Sequence, residues 1–221
     1  TESVPYTLDI SAHRLEDNGM HGKVDEKRAK VVVWVNLRHR PTVETLMRHL
    51  QSMGVSLSFL EVPDQGPELR LLDGRVRWLG TPEGLDAGLV LDMVHRILQP
   101  PPYLAEPVRS WVRSFPEPRT LRIWIRKGCG YCVPVVRRAM DLVLEQPRFT
   151  LEVIDADEVP ERRPPEPLLA VPYLWVVETG RGAYGIPSHR EIFGLMVRPV
   201  AYDQEGPAHE APPKDSRESG N

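Results

Sequence analysis

Leu121-Arg122-Ile123-Trp124-Ile125, followed by Gly128-Cys129-Gly130-Tyr131-Cys132-Val133-Pro134, is the stretch that decides the fold. A strand-like apolar run leads directly into both cysteines of the chain. An amphipathic helix follows, with Val133, Val136, Met140, Val143 and Leu144 on one face and Arg137, Arg138, Asp141 and Glu145 on the other. The order is strand, dithiol, helix, and a C-x-x-C so placed reads as a redox site. The nucleophile of disulfide exchange is the thiolate; free cysteine titrates near about 8.5, and a sulfur at a helix N-terminus or beside cations titrates lower. Cys129, preceded by Arg126 and Lys127, is expected at the helix cap as the attacking thiol. Cys132, one turn further in, is expected to be the more buried resolving thiol, which closes the intramolecular disulfide and releases the product. Pro134 has no N–H to give, which sets the start of the regular helix at Val133 or Pro134 with the dithiol in the preceding turn.

A second signal is Val171-Pro172-Tyr173-Leu174-Trp175-Val176-Val177, a strand with proline at its start, where a missing N–H is tolerated. Residues 120–198 thus read as strand, Cys129-Gly130-Tyr131-Cys132, helix, strand Phe149–Asp155, linker, Val171-Pro172, hairpin and a last helix over Ser188–Val197. In this order the segment resembles the thioredoxin/glutaredoxin superfamily. The wider chain is similar to the tandem-thioredoxin protein disulfide oxidoreductases and to the N-terminal domain of the alkyl hydroperoxide reductase flavoprotein. In those proteins two thioredoxin folds lie side by side, and in the flavoprotein's domain only the second keeps its cysteines.

The resemblance implies an α/β fold of two tandem thioredoxin-like units, each a share of a central mixed sheet flanked by helices, the first lacking the CxxC. It implies a cis peptide before Pro172, facing the dithiol, and hydrogen bonds to an extended substrate from the backbone of Val171. Cys129 and Cys132 are then the catalytic pair, and Gly130, Tyr131, Val171 and Pro172 the substrate-binding residues. Protein disulfides would be the substrates, a thioredoxin-reductase-like flavoprotein the electron donor, and a peroxiredoxin one recipient. The redox-active disulfide needs no bound cofactor. Two departures stand out: Ile123 occupies the position, six before the first cysteine, where thioredoxins bury an acidic residue, and the glycine pair of glutathione-dependent glutaredoxins is not clear around Gly180–Gly185. The Gly130-Tyr131 pair also occurs in periplasmic disulfide isomerases, so the direction of electron flow stays open.

The chain has 221 residues, 41% hydrophobic and 27% charged, enough for one large domain or two small ones sharing a core. A net charge of −3 gives no sign of a nucleic-acid or anionic-membrane partner. No apolar run approaches the ~20 residues of a membrane span, and the N-terminus lacks a basic stretch followed by an apolar core. If the chain begins at its true start, a cytoplasmic protein is expected. Two cysteines in one motif also argue against a secreted disulfide scaffold.

Residues 1–30 read as an N-terminal extension with a short strand over Val4–Ile10; His13 and His21 lack the second ligand that a metal site needs. Residues 31–100 form the first unit: strand Val31–Leu37, helix Thr42–Met53, strand Val55–Val62, and a hairpin of Glu68–Leu72 with Arg75–Leu79 across Asp73-Gly74. A helix running to Leu98 is expected to start with Thr81 as cap, Pro82 in the first position and Glu83 at the positive end of the dipole. The halves superimpose in sequence: Trp34 matches Trp124 at an offset of 90, Gly66-Pro67 pairs with Val171-Pro172, and Gly80-Thr81-Pro82 with Gly185-Ile186-Pro187. His39 and Thr42 then stand where the second unit has its cysteines, so the first unit reads as a structural half or a docking surface.

The prolines of Gln99–Tyr103 make a stiff turn into the second unit, residues 101–198, which opens with a helix over Ala105–Phe115 carrying Val108, Trp111 and Val112 on one side. A linker of this kind implies rigid packing of the two units. Four prolines between Pro160 and Pro167 forbid a helix there; the segment reads either as a loop beside the active site that selects substrates or as a shortened connection. Residues 199–221 read as a disordered tail. Two rival readings remain: half a zinc site completed by His189, His95 or Asp155, and a non-enzymatic interaction protein with a vestigial dithiol.

Overall fold

Alternating and continuous apolar runs become eight strands and five helices in the computed structural model, which describes residues 30–34, 40–60, 66–99 and 102–197. In chain order these are β1 (Lys30–Trp34), α1 (Arg40–Ser52), β2 (Ser56–Leu60), β3 (Glu68–Leu71), β4 (Val76–Leu79) and α2 (Leu85–Leu98). After them come α3 (Val108–Ser114), β5 (Arg119–Ile125), α4 (Cys132–Glu145), β6 (Phe149–Asp155), β7 (Tyr173–Val176), β8 (Arg181–Tyr184) and α5 (His189–Met196). The expected strand Val4–Ile10, His13, His21, residues 35–39 with His39, the end of the second strand, Pro100, Pro101 and the tail lie outside the described residues.

All eight strands form one mixed sheet in the order β2-β1-β3-β4-β6-β5-β7-β8. The order contains the same pattern twice. β1 runs parallel to β2 and antiparallel to β3, which pairs antiparallel with β4. β5 runs parallel to β6 and antiparallel to β7, which pairs antiparallel with β8. A parallel β4–β6 seam joins the two, from Val76 opposite Leu151 to Leu79 opposite Ile154. Arg75 ties the seam down: its Nη1 donates to the carbonyls of Val143, Gln146 and Phe149 at 3.0, 3.4 and 3.3 Å.

Strand alternation sends successive side chains to opposite faces. One face presents Leu69, Leu71, Val76, Trp78, Leu121, Ile123, Leu151, Val153, Leu174 and Val176 to a single core shared with buried residues of all five helices. The other face carries a smaller apolar cluster of Leu79, Trp124, Ile154, Val159 and Tyr173, to which none of the described helices contributes. Beside that cluster runs a charged ladder, Arg70–Glu68–Arg77–Glu152–Arg122, with contacts of 2.5–2.8 Å. Burial pushes the Glu68 carboxyl up, but the two guanidiniums outweigh it and hold the group below its ordinary value.

Several expected boundaries move. The first-unit helix starts at Leu85 with Gly84 (φ 54°) as its cap, not at Thr81 and Pro82. The Thr81 N–H donates instead to Glu158 Oε2 at 2.5 Å. Gly80, at φ 124°, passes so close to the end of β6 that a Cβ there would lie 2.6 Å from Asp155 Cβ. α3 starts at Val108, with Pro107 capping it; Val112 is buried, while Trp111 stays 40% exposed and stacks on Phe193 at 6.2 Å. The Asp73-Gly74 turn becomes a four-residue connection, with Leu72 and Asp73 at φ 51° and 53°. Asp141, placed by periodicity on the polar face of α4, is buried and accepts hydrogen bonds from Arg96 Nη1 at 2.5 Å and His189 Nε2 at 2.9 Å. A helix with partners on two sides hides part of its polar face.

Candidate active site

β5 ends at Ile125, and its register against β7 brings Pro172, the residue before Tyr173, alongside that end. The chain then turns: Cys129 N–H donates to the Arg126 carbonyl at 3.1 Å and Cys132 N–H to the Cys129 carbonyl at 3.0 Å. α4 begins at Cys132 with Tyr131 as its cap. Cys129 thus lies in the turn before the helix and is not the cap. The start at Cys132, rather than Val133 or Pro134, follows from helix geometry: the first N–H groups of a helix have no partner within it, so a proline in the first turn removes nothing.

Cys129 and Cys132 are joined in a disulfide with their Cα atoms 5.4 Å apart. Cys132 is 2% exposed and belongs to the main core, whereas Cys129 is half-buried at its edge. Tyr131, between them, is 74% exposed, and Gly130 is exposed too. The Val171–Pro172 peptide is cis, and Pro172 is buried. The Pro172 carbonyl accepts the Gly185 N–H at 3.2 Å. Among the described residues, neither the N–H nor the carbonyl of Val171 has a backbone hydrogen-bond partner. The Gly66–Pro67 bond is not among the cis peptides, yet the Pro67 carbonyl accepts the Gly80 N–H at 2.8 Å, the counterpart of the Pro172–Gly185 bond.

Charged groups gather at the turn that carries Cys129, and two of them, Asp86 and Glu83, come from the other half of the chain. The Asp86 carboxylate, in the first turn of α2, accepts a hydrogen bond from the backbone N–H of Gly128. Asp86 is 3% exposed. Burial, and then the nearby charge of Asp155, push its pKa up to about 6 against the pull of Gly128 and Lys127. Burial also raises Asp155, which accepts the N–H groups of Asp157 and Glu158 at 3.0 and 3.3 Å. Lys127 bonds Glu158 closely and Glu83 at 3.4 Å. Hydrogen bonds from Lys127 and Thr81 overcome the burial of Glu158 and hold its carboxyl below the ordinary range.

Sequence reading missed Asp86. The position six before Cys129 is Ile123, and the expected start of the first-unit helix, Pro82 after a Thr81 cap, lies three residues before the observed one. Aligning Gly80 with Gly185 puts Asp86 opposite Glu191, which closes a capping box with Ser188. That alignment was the available signal, and it points to a cap rather than to a partner across the molecule.

The Pro160–Pro167 segment is irregular, as its prolines require. With Trp124 and Arg126 it encloses a cleft of about 500 Å³. His189 is spent on Asp141, Asp155 on its own loop, and His95 is exposed on α2, so the side chains that a zinc site would need are not gathered at the cysteines. Among the described residues no helix is long and apolar enough to cross a membrane.

The sequence matches no protein family and no curated protein. The fold has relatives among solved structures. The alkylhydroperoxide reductase protein AhpF of Enterococcus faecalis superimposes with a TM-score of 0.67 at 16% identity, over 78% of this chain and 91% of that one. A protein disulfide oxidoreductase of Aeropyrum pernix gives 0.64 at 18% identity, over 76% and 84%. A Sulfolobus solfataricus protein gives 0.55 at 15%, over 69% and 89%. The chain therefore has the α/β, thioredoxin-like fold of these structures.

Proposed function

We propose that this chain is a thiol–disulfide oxidoreductase built of two tandem thioredoxin-like units, residues 31–100 and 101–198, and that its Cys129/Cys132 pair exchanges with protein disulfides. One observation carries the reading: a disulfide closes the turn at the start of α4 with Cys132 in the core and Cys129 at its edge. The named activities of the Aeropyrum pernix and Enterococcus faecalis structures agree with a redox role.

In the reduced form the Cys129 thiolate attacks one sulfur of a client disulfide. The client S–S bond breaks, a mixed disulfide forms, and the departing client sulfur takes up a proton. Cys132 then gives up its proton and attacks Cys129 Sγ; the intramolecular bond closes and the second client sulfur leaves with a proton. Two electrons and two protons pass to the client, and the reverse sequence oxidises a client dithiol. Asp86, with a pKa near 6 and a hydrogen bond to the turn carrying Cys129, is the carboxyl suited to hold a proton during these steps. The unpaired backbone of Val171, with Gly130, Tyr131 and Pro172, forms the surface for an extended client segment.

The reaction needs no bound cofactor. A flavoprotein disulfide reductase renews the dithiol, a peroxiredoxin is one client, and a reducing compartment such as the cytoplasm suits a protein whose two cysteines form one motif. The test is reduction of insulin disulfides by dithiothreitol with the intact protein, Cys129→Ser and Cys132→Ser. Acceleration by the intact protein alone is expected. If all three match the uncatalysed rate, the reading fails in favour of a binding role with a vestigial dithiol.

A further inference from the structure

Two ion pairs clamp the loop of residues 156–172 to the turn that carries Cys129: Lys127 with Glu158, and Arg126 with Asp157 at 3.3 Å. The same loop ends at Val171–Pro172. The cleft that the loop encloses reaches the dithiol turn at Arg126, which lines it and whose carbonyl accepts the Cys129 N–H at 3.1 Å. Three guanidiniums, those of Arg126, Arg162 and Arg163, line the cleft against one carboxylate, Glu166, which is engaged by the Tyr173 hydroxyl at 2.5 Å. Asp157, Glu158 and Glu161 of the same loop are not part of that lining, and the first two pair with Arg126 and Lys127.

The three arginines are held loosely enough to accept a partner. Arg126 and Asp157 are both more than half exposed, a pairing that water and a competing carboxylate readily replace. Arg163 Nε donates only within its own loop, to the Pro160 carbonyl at 3.2 Å. Arg162 is anchored through its main chain, whose carbonyl accepts Trp124 Nε1 at 2.5 Å, while its side chain is exposed.

The wall chemistry selects among anions. Pro160, Pro164, Pro165 and Pro167 remove the backbone N–H groups on which a compact phosphate is cradled, and with Leu168 they leave apolar surface for a chain to lie on. Further exposed apolar side chains are Leu169 (83% exposed) two residues before Val171, Tyr131 between the cysteines, and Leu85 (46%) next to Asp86.

We infer that the cleft of residues 156–168 is a specificity site for an extended client segment with acidic side chains flanking its cysteine. Carboxylates of that segment pair with Arg126, Arg162 and Arg163 while its cysteine lies against Cys129. The inference rests on the exchange reaction proposed above and adds to it the class of client.

The test uses three peptides, each holding one cysteine as a mixed disulfide with thionitrobenzoate and differing only in flanking glutamates, glutamines or lysines. With the reduced protein, the glutamate peptide is expected to release thionitrobenzoate about ten-fold faster than the glutamine peptide, and the lysine peptide more slowly. In the Arg162→Gln, Arg163→Gln double variant, and at high salt, the glutamate-to-glutamine ratio falls to about one. Equal rates in the intact protein, or a ratio that survives the double substitution, overturn the inference. Failure of the underlying reaction looks different: the glutamine peptide then reacts no faster with the intact protein than with Cys129→Ser. In that event the cleft is read by fluorescence anisotropy of cysteine-free peptides, where the same preference for glutamate, lost in the double variant, is expected and its absence is decisive against the site.

Discussion

The two halves of the sheet share strand order, strand directions and even the small hydrogen bond from glycine to proline, Gly80 to Pro67 in one and Gly185 to Pro172 in the other. They differ in what that shared frame presents. The second half carries a disulfide at the start of α4 and a cis Val171–Pro172 peptide. The first contributes no cysteine, and none of the cis peptides belongs to Gly66–Pro67. Yet it is not inert filling, because Asp86 and Glu83 reach across to Gly128 and Lys127, directly before Cys129. The half without cysteines adds Asp86 and Glu83 to the acidic groups, Asp155 and Glu158, that the second half itself places near that turn.

Cutting the tie between the halves has the largest expected effect. Asp141 on α4 holds Arg96 of α2 and His189 of α5, and Asp141→Ala leaves a mostly buried guanidinium with only Asp92 as a carboxylate partner. A loss of about 3 kcal/mol is expected from urea denaturation. A change below about 1 kcal/mol means that the apolar core alone couples the halves.

Matched glycines sharpen the comparison. Gly80→Ala forces a Cβ to within 2.6 Å of Asp155 Cβ at φ 124°, whereas Gly185→Ala at φ 80° meets nothing within 4 Å. The first is expected to cost about 3 kcal/mol and the second about 1 kcal/mol, the backbone term alone. Equal costs would remove the claim that the first half is pressed against the end of β6.

At Asp86 the expected effect has the opposite sign. Asp86 ionises at about 6 in the folded chain against 3.8 ordinarily. A raised carboxyl costs nothing below the unfolded value, and the cost grows as pH rises through the interval and is complete above about 6. Asp86→Asn, which still accepts the Gly128 N–H, is therefore expected to stabilise the protein by about 2 kcal/mol at pH 7.5 and by nothing at pH 3. Its exchange rate at neutral pH is expected to fall several-fold and to lose an inflection near pH 6. A variant neither more stable nor slower at pH 7.5 would separate Asp86 from the dithiol.

Local chemistry made much of this legible. Strand Phe149–Asp155 has the bounds its apolar run predicts. Cys132 is buried and Cys129 less so, in the order that a thiol one turn deeper implies. Ser188 with Glu191 forms a capping box, because that pair satisfies two helix-end donors by itself. The failures share one cause. Thr81 has the composition of a cap, but its N–H is taken by Glu158, and Asp141 has the periodicity of a solvent-facing residue, but Arg96 and His189 close over it. In each case the deciding partner lies more than 40 positions away in sequence.

By itself the sequence determined the element types, the repeated order of the halves and the placing of the dithiol at a strand-to-helix turn. Periodicity, proline chemistry and thiol spacing act over a few residues. Only the tertiary structure decided that β4 and β6 merge the halves into one sheet, that Asp86 belongs to the dithiol's surroundings, and that the proline loop encloses a cleft lined by arginines. Strand pairing, burial and the electrostatics of a shared site depend on which distant segments meet, and no local pattern specifies that meeting.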